Sequence, residues 1–135
     1  LMEKIFFIQI LLSGIVSGLI IFQSTLAAPI VFLFLEKKQA RIFIRKIFPK
    51  LFKLLLSIGL LMLCLNLFFE VNQKIQYLVS IITFIFPTIC LFMVDPANKA
   101  TDTNNQKRFK FLHKASVILT MIVLILNLIW PFINF

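Results

Sequence analysis

From Ile5 to Leu35 the chain carries no charged residue. A helix of that length spans ~46 Å, more than the ~30 Å hydrocarbon core of a bilayer. Three further apolar runs follow, over residues 51–69, 77–94 and 111–132, each close to the ~20 residues that a membrane-crossing helix needs. Of 135 residues, 61% are hydrophobic and 14% charged, too little polar surface for a soluble domain to face water. In lipid every backbone N–H and C=O must be satisfied within the segment or barrel, and runs this long and continuous satisfy them as helices. The expected fold is an all-α integral membrane protein. It is a four-helix antiparallel transmembrane bundle, one domain over 1–135, with spans near 5–35, 51–69, 77–94 and 111–132.

The first run is longer than a membrane needs. Pro29 offers a bend, because it has no N–H for the carbonyl four residues back at Thr25. Thr25-Leu26-Ala27-Ala28 has the small residues of a leader cleavage site, but Pro29 follows directly, the basic region before it is Lys4 beside Glu3, and the apolar run continues. The run is therefore read as a retained span.

The formal net charge is +9, and its placement excludes nucleic acid as the partner, since the cations sit in two clusters between apolar runs. In the first cluster Ala40, Phe43, Ile44, Ile47, Phe48 and Leu51 share a helical face, while Lys37, Lys38, Arg41, Arg45, Lys46 and Lys50 take most of the rest. That spacing predicts a basic interfacial helix between spans one and two, apolar side in the headgroups and cations on anionic lipid phosphate. A solvated basic loop is the alternative. Pro49 then opens the second span. Glu70 to Gln76 is a short polar link, and Asp95 to Lys110 is the most water-loving stretch. Counting to Lys53 and Lys114, these two linkers hold seven and five Lys/Arg, against Lys4 and Lys74 on the other side. The bias places both termini away from the cytoplasm. The composition, rich in Phe, Ile, Lys and Asn, suggests a bacterial inner membrane, a thylakoid-type membrane being the alternative.

The span faces are divided. In span one Leu11, Leu12, Ile15, Leu19, Phe22 and Leu26 are expected against lipid. Gln9, Ser13, Ser17 and Ser24 lie opposite, flanked by Gly14, Gly18 and Thr25. Gly14 and Gly18 form a G-x-x-x-G pair, which lets helices approach closely. Packing within the bundle is preferred to homodimerisation. Helix-packing roles are assigned to Ser13, Gly14, Ser17, Gly18, Pro29, Ser116, Thr120 and Asn127. In span three Ser80, Thr83, Pro87 and Cys90 share a face. In span four His113, Ser116, Thr120, Asn127 and Asn134 form a stripe that should point inward. The interior so built has no charged residue at membrane depth, which argues against a proton-coupled pump.

Chemistry-bearing residues are few. Cys64 and Cys90 fall at depths ~10 Å or more apart, too far for a disulfide. Cys90, Met93 and His113 offer thiolate, thioether and imidazole, which suit a soft metal such as Cu(I); core filling is the plainer reading. His113, the single histidine, is a cofactor-ligand candidate or a helix-entry residue at the interface. No nucleophile elbow, phosphate loop or H-E-x-x-H is present, and no catalytic residues or cofactor are assigned.

Three stretches resemble the bacterial four-helix family called domain of unknown function 4149, which is similar to the eukaryotic transmembrane protein 205. They are Phe22 to Leu35, with Ala28-Pro29; Lys37 to Leu54, a basic linker with Phe48-Pro49; and Arg108 to Leu126, with Leu112-His113 and Ser116. Ser24 and Thr25 depart from that pattern, where apolar residues are usual. The resemblance implies the four-helix topology and little chemistry. The association of the eukaryotic relative with platinum-drug resistance implies export or trafficking. The expected function is a non-enzymatic structural, accessory or assembly component of a membrane complex, with a membrane-protein partner or a second copy of itself. The alternatives are a small transporter or metal- or drug-resistance protein, and a redox or lipid-modifying protein using His113.

Overall fold

The computed structural model describes residues 1–133. Helix α1 (Met2–Phe22) runs into a π-helical turn (Gln23–Ala27) and then α2 (Ala28–Phe34), and together these form span one. Helices α3 (Lys37–Phe68), α4 (Lys74–Asp102) and α5 (Gln106–Ile129) follow, α5 ending in a 3₁₀ turn (Trp130–Phe132). The four resulting spans are each long and apolar enough to cross a membrane. They pack into the expected helical bundle.

The joints between spans are tighter than expected. Both α3 and α4 close with a Schellman motif around a left-handed residue, Glu70 at φ 51° and Asn104 at φ 56°. After α3, Val71 N–H reaches back to Asn66 O at 3.0 Å; after α4, Asn105 N–H reaches Ala100 O at 2.8 Å. These bonds satisfy carbonyls that a helix end leaves free. Asn105 then caps α5 by accepting from Arg108 N–H at 3.2 Å. The polar stretch Asp95 to Lys110, expected as a loop, is therefore helical except at 103–105. Ala-Asn-Lys-Ala after Pro96 does not oppose a helix, and Pro96 itself sits inside α4.

The basic segment is helical as expected, but it is not set off from span two. Pro49 lies inside α3, which runs unbroken for 32 residues. That is ~48 Å of helix, longer than the ~30 Å hydrocarbon core. The N-terminal turns of α3 thus project beyond the apolar layer together with the C-terminal turns of α4. Ala40 and Ala100 are buried in that projection. Arg45 donates to Asp102 at 2.6 Å and to the Asn98 carbonyl at 3.3 Å. A paired hairpin explains why the helix stays continuous: α4 supplies a neighbour for the apolar face that the sequence alone assigns to lipid headgroups. Lys37, Lys38, Arg41, Lys46 and Lys50 remain exposed.

Polar groups organise the half of the bundle away from the basic hairpin. Asn66, with no exposed surface, accepts from Gln9 Nε2 at 3.0 Å. Its own amide nitrogen donates to Gln76 O at 3.1 Å and Ser80 Oγ at 3.2 Å. Three helices are joined by one side chain. Trp130 Nε1 donates to Ser13 Oγ at 2.7 Å, tying α5 to α1, and Asn127 Nδ2 donates to Thr83 Oγ1 at 2.9 Å, tying α5 to α4.

The candidate lateral cavity

Near the hairpin end, the four spans part to leave a cavity of about 480 Å³. Span one contributes Gln23, Ser24, Ala28 and Phe32 to its wall. Pro29 cannot donate to the Thr25 carbonyl, and the helix answers with a π turn in which Ala28 N–H bonds Gln23 O, five residues back. The Thr25 hydroxyl bonds the Ile21 carbonyl at 2.6 Å. Gln23, the first residue of the turn, is 6% exposed and lies on the inner side. Ser24, expected inward, is exposed, as is Thr25. The walls are mainly apolar, from Phe48, Phe52, Val94 and Met121, with Ser116, Thr120, Asn98 and Arg45 among the polar lining.

The structure brings much of the sequence-predicted set to this one place. Cys90, Met93, Ser116, Thr120 and His113 all line the cavity. Cys90 is buried and its thiol donates to Ser116 O at 3.7 Å. The Ser116 hydroxyl contacts Met93 Sδ at 3.9 Å, and Thr120 donates to Ser116 O at 2.8 Å. His113 is exposed at the rim, its ring stacked on Phe109 at 5.6 Å between centroids. Among the described residues no three His, Cys, Asp or Glu side chains stand close enough to hold a metal ion. Cys64 is exposed and both cysteines are free.

Other placements differ from expectation. Ser13 and Ser17 are buried as expected. Gly14 and Gly18 are exposed, and a Cβ on either meets nothing within 4 Å among the described residues, so neither stands at a close contact between these helices. Pro29 is exposed, Asn127 buried and Asn134 outside the described residues. Gly59, which sequence reasoning did not single out, is the glycine at a close helix contact. Gln23 was also missed: the expected stripe followed the serines, whereas Gln23 continues the line of buried Ile5, Val16 and Ile20.

At the hairpin the electrostatics are local. The Arg45 guanidinium, by hydrogen bonding first and then by charge with help from Arg41, holds the Asp102 carboxyl below the usual carboxylate range. Among the described residues no carboxylate lines the cavity.

Four apolar spans around hydrogen-bonded amides and hydroxyls define a polytopic helical membrane protein. Residues 11–107 match the family described as Domain of unknown function (DUF4149), and the chain belongs to that family. The match covers the Ala28-Pro29 and Phe48-Pro49 stretches and ends before Leu112-His113. No curated protein and no solved structure matches the chain.

Proposed function

We propose that the chain is a non-enzymatic component of the bacterial inner membrane that takes an amphiphile from the surrounding bilayer into its lateral cavity. The cavity itself carries this reading. Its volume of about 480 Å³ lies within the ~300–1,000 Å³ of ligand pockets. Its lining includes Ser24, Phe32 and Val117, all exposed, which offers a bilayer molecule a sideways entry. The cation bias supports an orientation with the basic hairpin on the cytoplasmic side, the cavity mouth in the bilayer near that face, and both termini outside. The exposed Lys37, Lys38, Arg41, Lys46 and Lys50 of α3 suit anionic headgroups around that mouth.

Native mass spectrometry on protein extracted in mild detergent tests the reading. A retained amphiphile is expected on the wild type and its loss on Thr120→Phe, which fills the cavity. Absence of any retained amphiphile from folded wild-type protein sinks it.

An accessory role beside a membrane-protein partner or a second copy is favoured by one observation. The outward Gly14 and Gly18 face leaves open space where a partner helix approaches closely. Gly14→Leu with Gly18→Leu should then shrink the complex seen on native gels, and an unchanged complex argues against it.

A further inference from the structure

Within the cavity reading above, we infer that Gln23 is its recognition residue and that the amphiphile it selects carries a carbonyl or carboxylate oxygen on an apolar chain. The Gln23 side-chain nitrogen is buried in the cavity wall and has no hydrogen-bond partner among the described residues. An amide NH₂ only donates. A donor left unmet in an apolar surrounding is costly, and in a membrane no bulk water compensates. Gln9, Gln76 and Asn127 also hold an unmet atom, but in each it is the amide oxygen, their nitrogens are bonded, and none of the three lines the cavity. Gln23 differs on all three counts.

The π turn that displays Gln23 does not use its side chain. Ala28 N–H and the Thr25 hydroxyl satisfy the carbonyls of Gln23 and Ile21, so the amide is free for a ligand. π turns of this kind recur at functional sites. The remaining lining agrees on polarity. The Ser116 hydroxyl rests on a thioether, a weak acceptor that a ligand oxygen displaces. The Arg45 guanidinium is already engaged by Asp102, and among the described residues no Asp or Glu lines the wall to meet an amine. Gln23 and Ser116 thus offer donors to an apolar space, complementary to an acceptor oxygen. A fatty-acid carboxylate and a quinone carbonyl present the same chemistry.

Radiolabelled palmitate, decylubiquinone and hexadecane, bound to the purified full chain, test this. On the wild type at least one oxygen-bearing probe should bind about tenfold or more tightly than hexadecane, the effect of one well-made hydrogen bond. Palmitate preference identifies the carboxylate as the source, and decylubiquinone preference the neutral carbonyl. Gln23→Met should reduce that probe to the hexadecane level and leave hexadecane itself unchanged. The empty Gln23→Met protein should melt at or above the wild type, because the variant removes an unmet donor, while Ser57→Ala, on the outer face of α3, should change neither. Equal binding of all three probes by the wild type overturns the Gln23 inference while leaving the cavity reading standing, and it does so even if Gln23→Met fails to fold. Retained preference in folded Gln23→Met overturns it likewise. No binding of any probe overturns both.

Discussion

A Cβ atom placed on Gly59 would stand 2.5 Å from the backbone nitrogen of Phe84, so α3 and α4 meet there backbone to backbone. The obstructing atoms also include the Thr83 carbonyl carbon at 2.5 Å and its oxygen at 2.8 Å, none of which turns aside as a side chain does. Alanine improves helix propensity by ~1 kcal/mol, but forcing the helices apart costs ~1–3 kcal/mol or more. The clash should win because both helices are tied on either side of it. Gly59→Ala is expected to lower stability in a denaturation series in mixed micelles, and Gly59→Leu to prevent folding. An alanine variant as stable as the wild type would show that the helices separate freely.

The contrast between Gly59 and Gly14–Gly18 shows what was legible in the sequence. Span number, span type and the buried faces through Gln9, Ser13, Ser17, Ser80 and Thr83 followed from apolar length and a 3.6-residue period, both local properties. Which glycine faces a neighbour depends on where that neighbour lies, and the paired G-x-x-x-G turned outward while the isolated Gly59 turned in. Pro49, expected to open the second span, instead lies within α3, because the apolar face before it finds a neighbour in α4. Gln23 was hidden for a different reason: the wheel was centred on the polar serines, whereas buried Ile5, Val16 and Ile20 carry the inward face toward Gln23.

Asn66 bridges three helices, and its replacement should cost more than that of either partner. Interhelical hydrogen bonds in membranes average ~0.6 kcal/mol with a maximum near ~1.7 kcal/mol. Asn66→Leu removes the bonds to Gln9, Gln76 O and Ser80 together and is expected to destabilise by about 1–2 kcal/mol. Gln9→Leu should cost less, since Asn66 keeps its bonds to α4. Stability equal to wild type in Asn66→Leu would mean that the network is not a structural tie.

The Arg45–Asp102 pair sets a pH dependence with a defined sign. Asp102 has a lowered folded-state pKa, so the unfolded chain binds its proton at higher pH. The pair therefore contributes fully above the unfolded carboxylate pKa and is lost as pH falls through the lowered folded value. Melting of the wild type minus that of Asp102→Asn should be positive at neutral pH, should shrink in acid below the usual carboxylate range, and should shrink with added salt because the pair is solvent-exposed. A difference independent of pH would assign the effect of Asp102 to packing.

His113 stacks on Phe109 at the exposed rim, 5.6 Å between ring centroids. His113→Gln keeps a donor and an acceptor there and, as a surface change, should shift stability by no more than ~0.5 kcal/mol. Amphiphile retention is expected to persist. A folded variant that retains no amphiphile would make the imidazole a ligand contact rather than a helix-entry residue.

Charge placement predicts the orientation of the whole bundle. Lys37, Lys38, Arg41, Arg45, Lys46, Lys50 and Lys53 lie on one side together with Lys99, Lys107, Arg108, Lys110 and Lys114. Only Lys4 and Lys74 lie on the other. Translocating the hairpin would move twelve cations across the bilayer against the inside-negative potential, at ~2.3 kcal/mol per charge per 100 mV. Reporter tags at either end should therefore read the non-cytoplasmic side, and a tag in the 103–105 turn the cytoplasm. Neutralising Arg41 and Lys46 alone should leave this unchanged, because ten cations remain on the hairpin side. Arg45 stays intact in that variant, so its bond to Asp102 still holds the hairpin. Reporters at both termini that read the cytoplasm would overturn the orientation, and with it the placement of the cavity mouth.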